Sequence, residues 1–435
     1  MIERYLADYV LPMDPGFSLH SPGFVDVAAG RVVAAGPAEQ APPLGRGDAE
    51  HRVGGLVMPG LVNCHAHSAM TVLRGAGEGL PLDRWLREVI WRREAGLTPE
   101  DARLGMLVGA AEMLRGGTTT SAEMYFHAGA VAEAAIEAGL RILVFPAVAE
   151  APGWERFGTP SDMVRSAVAL RERLAGADLV EVGLGPHSAY TLEDAALREV
   201  AEVSSATGMP VHIHLAETRT EGDAVTARTG RTVAAHLAGL GVFSARATAA
   251  HCVWLADEDI TLLAEHRVGV AHCPGSNGKL ASGIAPVAAM RRAGICVGLG
   301  TDGPASNDNL DLWEEGRLSL LYARLRDLDA SALSLEDALR MATSEAAAAL
   351  GRDDIGALLP GLRADMIRLS LEDIVYDPVL RPRDVLAHLV WAGSARDVTD
   401  VWVGGRQVVK GRVCHTVDVE AARVGLRAAA RRLAR

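Results

Sequence analysis

The chain has 435 residues, of which 49% are hydrophobic and 23% are charged, so it can bury a sizeable core. This composition excludes intrinsic disorder for the bulk of the chain. The formal net charge of −12 disfavours general nucleic-acid binding, because proteins with that function present a basic surface. The length allows two or three domains or one large α/β barrel, and we expect a small-molecule partner.

Cysteine usage and hydropathy bear on the location of the protein. The five cysteines are odd in number and scattered, which indicates free thiols in a reducing compartment. The first residues include acids and a proline where a signal peptide needs a basic flank and an apolar run, and there is no apolar run of about 18 residues. We predict a cytoplasmic homo-oligomer that contacts neither nucleic acid nor membrane.

The two ends of the chain resemble each other in pattern. Each has short β-rich runs separated by Gly, Pro and Asp turn signals, and the far end closes with a helix rich in Arg and Ala. We predict that residues 1–56 and 359–435 form one small β-rich domain. Residues 57–358 would then form a metal-dependent hydrolase barrel.

Apolar, β-rich runs alternate with amphipathic helical segments through the middle of the chain. Helical segments such as 99–117 and 128–140 have the periodicity of helices that cover a sheet. Eight strands with helices between them predict a (β/α)8 barrel of the TIM type, in the α/β class. The eight runs are 60–67, 118–125, 141–148, 178–187, 210–217, 247–252, 268–273 and 295–302.

Histidines gather where these predicted strands end, which is the end of such a barrel that carries active sites. His65 and His67 would lie on one face of the first strand, because side chains alternate along a strand. Strand five carries His214, strand six ends in His251 and strand eight in Asp302. Imidazole and carboxylate ligands suit zinc and other first-row metals, so we predict a metal site here.

Other polar residues near these positions have simpler interpretations. His212 shares a face with His214 but lies deeper in the barrel, where a packing role is favoured. His272 is interpreted in the same way. A thiolate site at Cys64, Cys252 and Cys273 is conceivable, since each adjoins a histidine, but alternation along the strand turns a cysteine outward when its histidine points inward.

The ordered motifs of the chain resemble those of the amidohydrolase superfamily, in the branch of mononuclear zinc deaminases that act on S-adenosylhomocysteine, methylthioadenosine and related adenosine derivatives. The resemblance covers essentially the whole chain. It implies that Glu217 and His251 complete the catalytic set, and that the zinc ligands are His65, His67, His214 and Asp302. The motifs are VMPGLVNCHAH, HLAET, AHC, SNGKLASGIAP, LGTDGPASNDNLD and IGALLPGLRAD.

The chemistry of these residues agrees with a hydrolytic deaminase. Three histidines and one aspartate leave a coordination position for water, whose pKa a bound metal lowers toward neutrality. Asp302 can take the proton of that water, and Glu217 can deliver protons to the ring nitrogen and to the departing ammonia. His251 can orient the nucleophile and stabilise the tetrahedral oxygen.

The lysine count bears on metal stoichiometry. Many members of the superfamily hold two metals bridged by a modified lysine at the end of strand four. Strand four here ends at 185–187, and neither Lys279 nor Lys410 is near it. We therefore expect one zinc ion per chain, with iron or another divalent metal as alternatives.

The sequence lacks the H-x-E and P-C-x-x-C elements of the separate class of zinc nucleobase deaminases.

The resemblance also implies residues that contact substrate. Trp85, Glu94 and His187 match a tryptophan, a carboxylate that grips the ribose diol and a substrate-contacting histidine. Residues 145–146 are Phe-Pro where homocysteine-binding relatives place an arginine, and Arg156 is a candidate to compensate. This departure counts against S-adenosylhomocysteine as the main substrate and leaves 5′-deoxyadenosine, methylthioadenosine, adenosine and aminodeoxyfutalosine open. The alternatives are a guanine, pterin or triazine aminohydrolase or chlorohydrolase on the same scaffold, and a catalytically inactive binding protein.

Overall fold

A computed structural model describes residues 1–434, and its central feature is a ring of parallel strands. The first four barrel strands form one parallel sheet and the last four form a second, and every predicted run contains a strand. In chain order, barrel strands 1 to 8 are Leu61–Ala66, Thr118–Tyr125, Arg141–Val148, the pair Val180–Val182 and Gly185–Pro186, Val211–Leu215, Ala247–His251, Gly269–His272 and Val297–Leu299.

Two parallel bridges close the ring. Leu184 pairs with Val211, which joins strand 4 to strand 5, and Ala66 pairs with Asp302, which joins the ends of strands 1 and 8. The backbone N–H of Asp302 donates to the carbonyl oxygen of His65 at 2.9 Å across this second junction. The predicted (β/α)8 barrel is confirmed, and all strand ends with candidate ligands meet at one rim.

Helices connect the strands and continue into the C-terminal part. None of those within residues 1–434 is long and apolar enough to cross a membrane. The α-helices that follow the first barrel strand are Leu82–Arg84, Trp91–Glu94, Pro99–Arg115, Ala128–Ala138, Pro160–Arg173, Asp194–Thr207, Arg219–Thr229, Val233–Gly239, Asp257–Glu265, Pro274–Lys279, Val287–Arg292, Leu312–Asp327, Leu335–Met341, Ser344–Ala349, Asp384–Trp391 and Val419–Leu433. A π-helical turn spans Trp85–Ile90, and 3₁₀ turns span Ala38–Gln40, Ser68–Leu73, Glu155–Phe157, Ile374–Tyr376 and Ala395–Asp397.

The helix Pro99–Arg115 holds the turn that follows the H-x-H motif. Thr98 and Asp101 form a reciprocal capping box at its start, and Pro99 occupies its first position, which needs no N–H donor. A Cβ atom on Gly105 would lie 2.1 Å from the carbonyl oxygen of Ala69. Only glycine therefore lets this helix approach the backbone directly after the ligand histidines.

Strands from both ends of the chain share one sheet. Met366–Leu369 pairs antiparallel with both Leu56–Pro59 and Val398–Val403. This six-stranded sheet is completed by Tyr9–Val10, Arg406–Lys410 and Val413–Cys414. A separate four-stranded sheet contains Glu3–Ala7, Gly23–Ala28, Arg31–Pro37 and Ala49–Arg52. The division into domains at 56/57 and 358/359 stays a prediction.

Two long-range contacts fasten these outer segments to the barrel. The guanidinium of Arg141, at the start of barrel strand 3, donates to both carboxylate oxygens of Asp365 at 2.8 and 3.1 Å, and both side chains are almost fully buried. Arg432, in the helix Val419–Leu433, donates to the carbonyl oxygen of Gly96 at 3.0 Å and pairs with Asp101. The last helix therefore packs beside the segment that follows Glu94.

Candidate metal centre and active site

Three imidazoles and one carboxylate meet at the carboxyl-end rim of the barrel. One potential ligand atom from each of the four residues lies within 4.8 Å of the other three. Oδ1 of Asp302 is 3.3 Å from Nε2 of His65 and 3.2 Å from Nε2 of His67. The Nε2 atoms of His67 and His214 are 3.3 Å apart. The structure thus brings together all four ligands predicted from the sequence.

Each of the three histidines has its second ring nitrogen held by another group. Carbonyl oxygens accept from Nδ1 of two of them, which fixes the protonated nitrogen and leaves Nε2 free. The third contacts a neighbouring imidazole. The partners of His65, His67 and His214 are, respectively, Nε2 of His212 at 2.7 Å, the carbonyl oxygen of Met124 at 2.5 Å and the carbonyl oxygen of His187 at 2.8 Å.

The donor set fits a divalent metal. Nε2 of His65 is buried without a hydrogen bond, an unfavourable state that metal ligation would relieve. Burial lowers the pKa of His65 to about 3 and that of His214 well below its usual value, so both imidazoles are neutral, as metal ligation requires. Burial opposes ionisation of Asp302, but contacts to two histidines hold the pKa of its carboxyl well below the usual range.

The orientation of Asp302 is set by its second oxygen and by its backbone. Oδ2 accepts hydrogen bonds from the hydroxyls of Ser276 and Ser306, each at 2.6 Å, so Oδ1 is turned toward the histidines. Its φ of +57° is a conformation that non-glycine residues rarely adopt and that is concentrated at functional sites. Asn63 and Thr301, joined by hydrogen bonds of 2.8 and 3.1 Å, tie strand 1 to strand 8 just below.

Glu217 and His251 lie beside this cluster. Oε2 of Glu217 is 3.8 Å from Nε2 of His251, and Oε1 accepts from the hydroxyl of Ser282 at 3.3 Å. Nδ1 of His251 contacts the side-chain oxygen of Asn277 at 2.9 Å, which leaves Nε2 facing Glu217. Burial raises the pKa of Glu217, so this carboxyl keeps a proton to higher pH than an exposed glutamate does.

A partly enclosed cavity opens in front of the cluster. Three of the seven tryptophans of the chain line it, and most of its other walls are apolar or aromatic. The lining residues are His67, Met70, Leu82, Trp85, Leu86, Ile90, Trp91, Glu94, Met124, Tyr125, Phe126, Ala147, Trp154, His187, Tyr190, His214, Glu217, His251 and Asp302.

Glu94 is a buried carboxyl in the wall of this cavity. Burial raises its pKa to about 7, and the hydroxyl of Tyr125 donates to its Oε1 at 2.9 Å. Glu94 and Trp85 are presented by successive helical turns that include a π-helical turn, a feature common at functional sites. The indole N–H of Trp85 donates to the carbonyl oxygen of Ala76 at 3.0 Å.

Arg156 is not brought into the cavity lining with the other predicted substrate-contacting residues. Its guanidinium donates to the carbonyl oxygens of Glu94 and Leu97 at 2.9 and 2.8 Å. It also lies over the ring of Phe157, 4.7 Å from the centroid. Arg156 therefore supports the backbone of the segment that carries Glu94.

The structure shows two supporting residues that sequence reasoning missed. His212 is buried as predicted, but it also contacts the metal-ligand candidate His65. Glu123 accepts hydrogen bonds from the backbone N–H and the hydroxyl of Ser68, at 2.8 and 2.6 Å, and from Ser121 at 2.6 Å. Glu123 could have been recognised from the sequence, because it is the one acidic residue in the otherwise uncharged strand 118–125.

The cysteines next to the histidines lie outside the metal-ligand cluster. The thiol of Cys64 donates to the carbonyl oxygen of Ala346 at 3.2 Å. Burial raises the pKa of the Cys64, Cys252 and Cys273 thiols, which disfavours thiolate ligation. His272 is buried as well, and burial lowers its pKa to about 3.

The sequence is similar to those of named bacterial enzymes. A protein of Pelotomaculum thermopropionicum named 5-methylthioadenosine/S-adenosylhomocysteine deaminase is 40% identical over 94% of each chain. A protein of the same name from Moorella thermoacetica is 41% identical over 92% of each chain.

The fold is similar to that of a solved zinc enzyme. The crystal structure of an adenosine deaminase from Xanthomonas campestris with bound zinc superposes with a TM-score of 0.94, at 35% identity, covering 99% of this chain and 98% of the other. Together with the four-residue donor set, this similarity identifies the cluster as a divalent-metal site. The sequence pattern of the amidohydrolase family matches residues 56–408, and the chain belongs to this family.

Proposed function

We propose that the protein is a zinc-dependent deaminase that hydrolyses the exocyclic amino group of an adenosine-type nucleoside to give the inosine-type product and ammonia. The observation that carries this proposal is one cavity whose wall includes three of the four clustered residues, together with Glu217, His251 and the buried carboxyl of Glu94. The names of the relatives and the zinc-bound neighbour support it.

The four clustered residues would hold one metal ion, which when bound activates a water molecule and polarises the reacting centre. The carboxylate of Asp302 accepts a proton from the attacking water. The carboxyl of Glu217, buried beside His251, donates its proton to the ring nitrogen. It then takes up the proton of the newly added hydroxyl group as the carbonyl forms and passes it to the departing ammonia, and the proton held by Asp302 returns Glu217 to its protonated state. Nε2 of His251 stabilises the oxygen that develops negative charge at the attacked carbon.

The remaining cavity residues would hold the nucleoside. Glu94 accepts hydrogen bonds from the ribose hydroxyls, while Trp85 and His187 contact the substrate from the cavity wall. Arg156 was expected from the sequence to contact the substrate directly. Its hydrogen bonds to two carbonyl oxygens instead favour a role in supporting the backbone of the Glu94 segment.

A screen for ammonia release by zinc-loaded protein tests the proposal. It should contain adenosine, 5′-deoxyadenosine, methylthioadenosine, S-adenosylhomocysteine and aminodeoxyfutalosine, with guanine, aminopterins and aminotriazines as competitors. We expect turnover of adenosine derivatives. Turnover confined to free bases, pterins or triazines would favour the alternative hydrolases, and ligand binding without turnover of any compound would favour an inactive binding protein.

We further propose that the enzyme works in the cytoplasm as a homo-oligomer without nucleic-acid or membrane partners. The five cysteines, all free within residues 1–434, support a reducing compartment such as the cytoplasm. The net negative charge supports the lack of a nucleic-acid partner. Light scattering of the purified protein measures its oligomeric state, and a monomer would contradict the proposal.

A further inference from the structure

The short helix Pro274–Lys279 follows barrel strand 7 and carries two residues that contact the active site. The hydroxyl of Ser276 donates to Oδ2 of Asp302 at 2.6 Å. The side-chain oxygen of Asn277 lies 2.9 Å from Nδ1 of His251. A shift of this one helix would therefore disturb Asp302 and His251 at the same time.

A second segment holds the same oxygen of Asp302. The loop after barrel strand 8 places the hydroxyl of Ser306 at 2.6 Å from Oδ2, so two serine hydroxyls from different parts of the chain meet at one carboxylate oxygen. The direction of Oδ1 therefore depends on how the two segments are placed relative to each other. A side chain that joins them would act on the metal site without touching the metal.

Glu315 joins these two segments. It lies in the first turn of the helix Leu312–Asp327 and is fully buried. Its Oε2 accepts from the backbone N–H of Gly275 at 2.9 Å, and its Oε1 accepts from the side-chain amide of Asn307 at 2.8 Å. The two oxygens of one buried carboxyl group thus connect the short helix to the loop after strand 8.

The two residues that Glu315 binds are the sequence neighbours of the two serines. Gly275 directly precedes Ser276, and Asn307 directly follows Ser306. On each side, a single hydrogen bond therefore separates Glu315 from the residue beside a serine that holds the carboxylate of the metal cluster.

The close approach at Gly275 leaves no room for a side chain. A Cβ atom at this position would lie 2.4 Å from Oε1 of Glu315 and 2.4 Å from Oδ1 of Asn307. Glycine therefore permits the backbone, the carboxyl group and the amide to lie together. The amide nitrogen of Asn307 also donates to the carbonyl oxygen of Thr301 at 2.9 Å, which fastens this cluster to the residue before Asp302.

The helix that carries Glu315 is itself anchored at its start. The carboxylate of Asp311 accepts from the backbone N–H of Trp313 at 2.9 Å, which satisfies a free donor of the first turn. The indole N–H of Trp313 donates to the carbonyl oxygen of Gly116 at 2.9 Å. Glu315 therefore binds the two active-site segments from a fixed position.

The position of Glu315 excludes direct contact with the reaction. It is not one of the cavity-lining residues, and it does not belong to the group of potential metal ligands. A buried carboxyl group is costly unless hydrogen bonds compensate, so packing alone would favour an apolar residue here.

We propose that Glu315 is a positioning residue that holds the helix Pro274–Lys279 against the loop after strand 8, and so orients Asp302 for metal binding and His251 for catalysis. The catalytic part of this inference rests on the proposed function. The metal-binding part does not.

Two substitutions of Glu315 test the inference in the whole chain. Glu315→Met removes both acceptor oxygens and leaves the N–H groups of Gly275 and Asn307 unpaired, whereas Glu315→Gln keeps the side-chain length and one acceptor oxygen. Competition with a chromophoric chelator measures zinc affinity, and ammonia release from methylthioadenosine by zinc-saturated protein measures kcat and KM. Glu314→Met and Glu314→Gln are matched controls, because Glu314 is the exposed neighbour on the same helix.

We expect Glu315→Met to lower zinc affinity and kcat by about tenfold or more each, and Glu315→Gln to lower both by about threefold or more. KM should change by less than about threefold, because Glu315 does not line the cavity. The Glu314 variants should match the wild-type protein in all three quantities. If Glu315→Met does not fold, Glu315→Gln alone decides the outcome.

A double-variant comparison shows whether the effect on the metal is transmitted through the serines. In a protein with Ser276→Ala and Ser306→Ala, the hydroxyls that hold Asp302 are gone. Adding Glu315→Met to this protein should then lower zinc affinity by less than about twofold further. Full additivity of the changes would overturn the inference.

The remaining outcomes separate positioning from support of the fold. A lower Tm with unchanged zinc affinity and kcat would show that Glu315 only stabilises the structure, and a change confined to KM would show that it acts on substrate binding; either result overturns the inference. If methylthioadenosine and the other adenosine derivatives release no ammonia, the proposed function has failed. Zinc affinity then decides the metal-binding part, since a loss in the Glu315 variants supports it and an unchanged value overturns it.

Discussion

Nδ1 of His65 lies 2.7 Å from Nε2 of His212, and the planes of the two imidazoles differ by only 5°. If Nε2 of His65 binds the metal, Nδ1 carries the proton and donates it to His212. His212 must then be protonated on Nδ1, which is buried and has no hydrogen-bond partner. The geometry of this contact therefore orients a metal ligand from deeper in the barrel.

Removing that contact should weaken metal binding without abolishing it. His212→Phe keeps an aromatic ring of similar size but removes the acceptor for His65, and loss of such a contact costs about 10- to 100-fold in metal affinity. Competition with a chromophoric chelator measures the change. The control His236→Phe alters a histidine that contacts Asp194, outside the cluster, and should leave the zinc affinity unchanged. Unaltered affinity in the His212 variant would rule out this positioning role.

Metal removal should abolish deaminase activity and lower Tm. The cluster gathers three imidazoles and a carboxylate that the metal would bind together, and a ligand that binds the folded state alone stabilises it, so the apoprotein should be less stable. We expect one equivalent of zinc per chain to restore both activity and Tm, as measured by elemental analysis and thermal unfolding. Two tightly held ions per chain would contradict the expectation of a single metal drawn from the absence of a lysine at strand 4.

Glu217→Gln should retain the metal and lose activity, because the amide fits the same space but cannot transfer protons. The expected fall in kcat is roughly 100- to 10,000-fold. Asp302→Asn should instead impair both zinc content and turnover, since its Oδ1 lies in the ligand cluster. A Glu217→Gln protein with near-normal turnover would remove that residue from the mechanism.

Glu94 should discriminate between ribose and 2′-deoxyribose. If its carboxylate accepts the ribose hydroxyls, loss of the 2′-hydroxyl forfeits a charge-assisted hydrogen bond, and kcat/KM should fall about 10- to 100-fold. Glu94→Ala should largely abolish this discrimination. Glu88→Ala is a matched control, because Glu88 is an exposed residue of the same helical segment. Equal use of both sugars by the wild-type protein would show that the diol assignment is wrong.

The same discrimination should depend on pH. Burial raises the pKa of Glu94 to about 7, so its carboxyl is mostly protonated at pH 6 and mostly ionised at pH 8. Only the ionised form accepts both hydroxyls, and the preference for ribose should therefore grow as pH rises through about 7. The ratio of the two kcat/KM values measures this, because pH effects on the shared chemistry cancel in the ratio.

Breaking the buried pair of Arg141 and Asp365 should destabilise the fold. Arg141→Met leaves a buried carboxylate without its partner, which typically costs about 3 to 5 kcal/mol in the free energy of unfolding. The double variant Arg141→Met, Asp365→Leu removes both charges and should recover part of that loss. Urea unfolding of the three proteins measures the difference, and equal midpoints would show that the pair contributes nothing.

The barrel and its metal ligands were predictable because each depends on a short pattern. Strands 2 and 3 have the same bounds as the predicted runs 118–125 and 141–148, which are rich in β-branched and apolar residues, as expected of parallel strands that are buried on both faces. The ligands follow from H-x-H alternation and from the rule that strand ends share one rim. The sequence could not reveal the contact of His65 with His212, which joins residues 147 positions apart, or the main-chain contacts of Arg156.

The helix Val419–Leu433, near the C-terminus, contacts the segment that carries the proposed ribose-binding residue Glu94. Arg432 donates a hydrogen bond to the carbonyl oxygen of Gly96, two residues beyond Glu94. Deleting residues 419–434, or fusing a bulky partner at this helix, should therefore alter KM for ribonucleosides while leaving zinc content unchanged. This helix therefore offers positions that could be varied in directed evolution of nucleoside preference without changing a residue that binds the metal or the substrate.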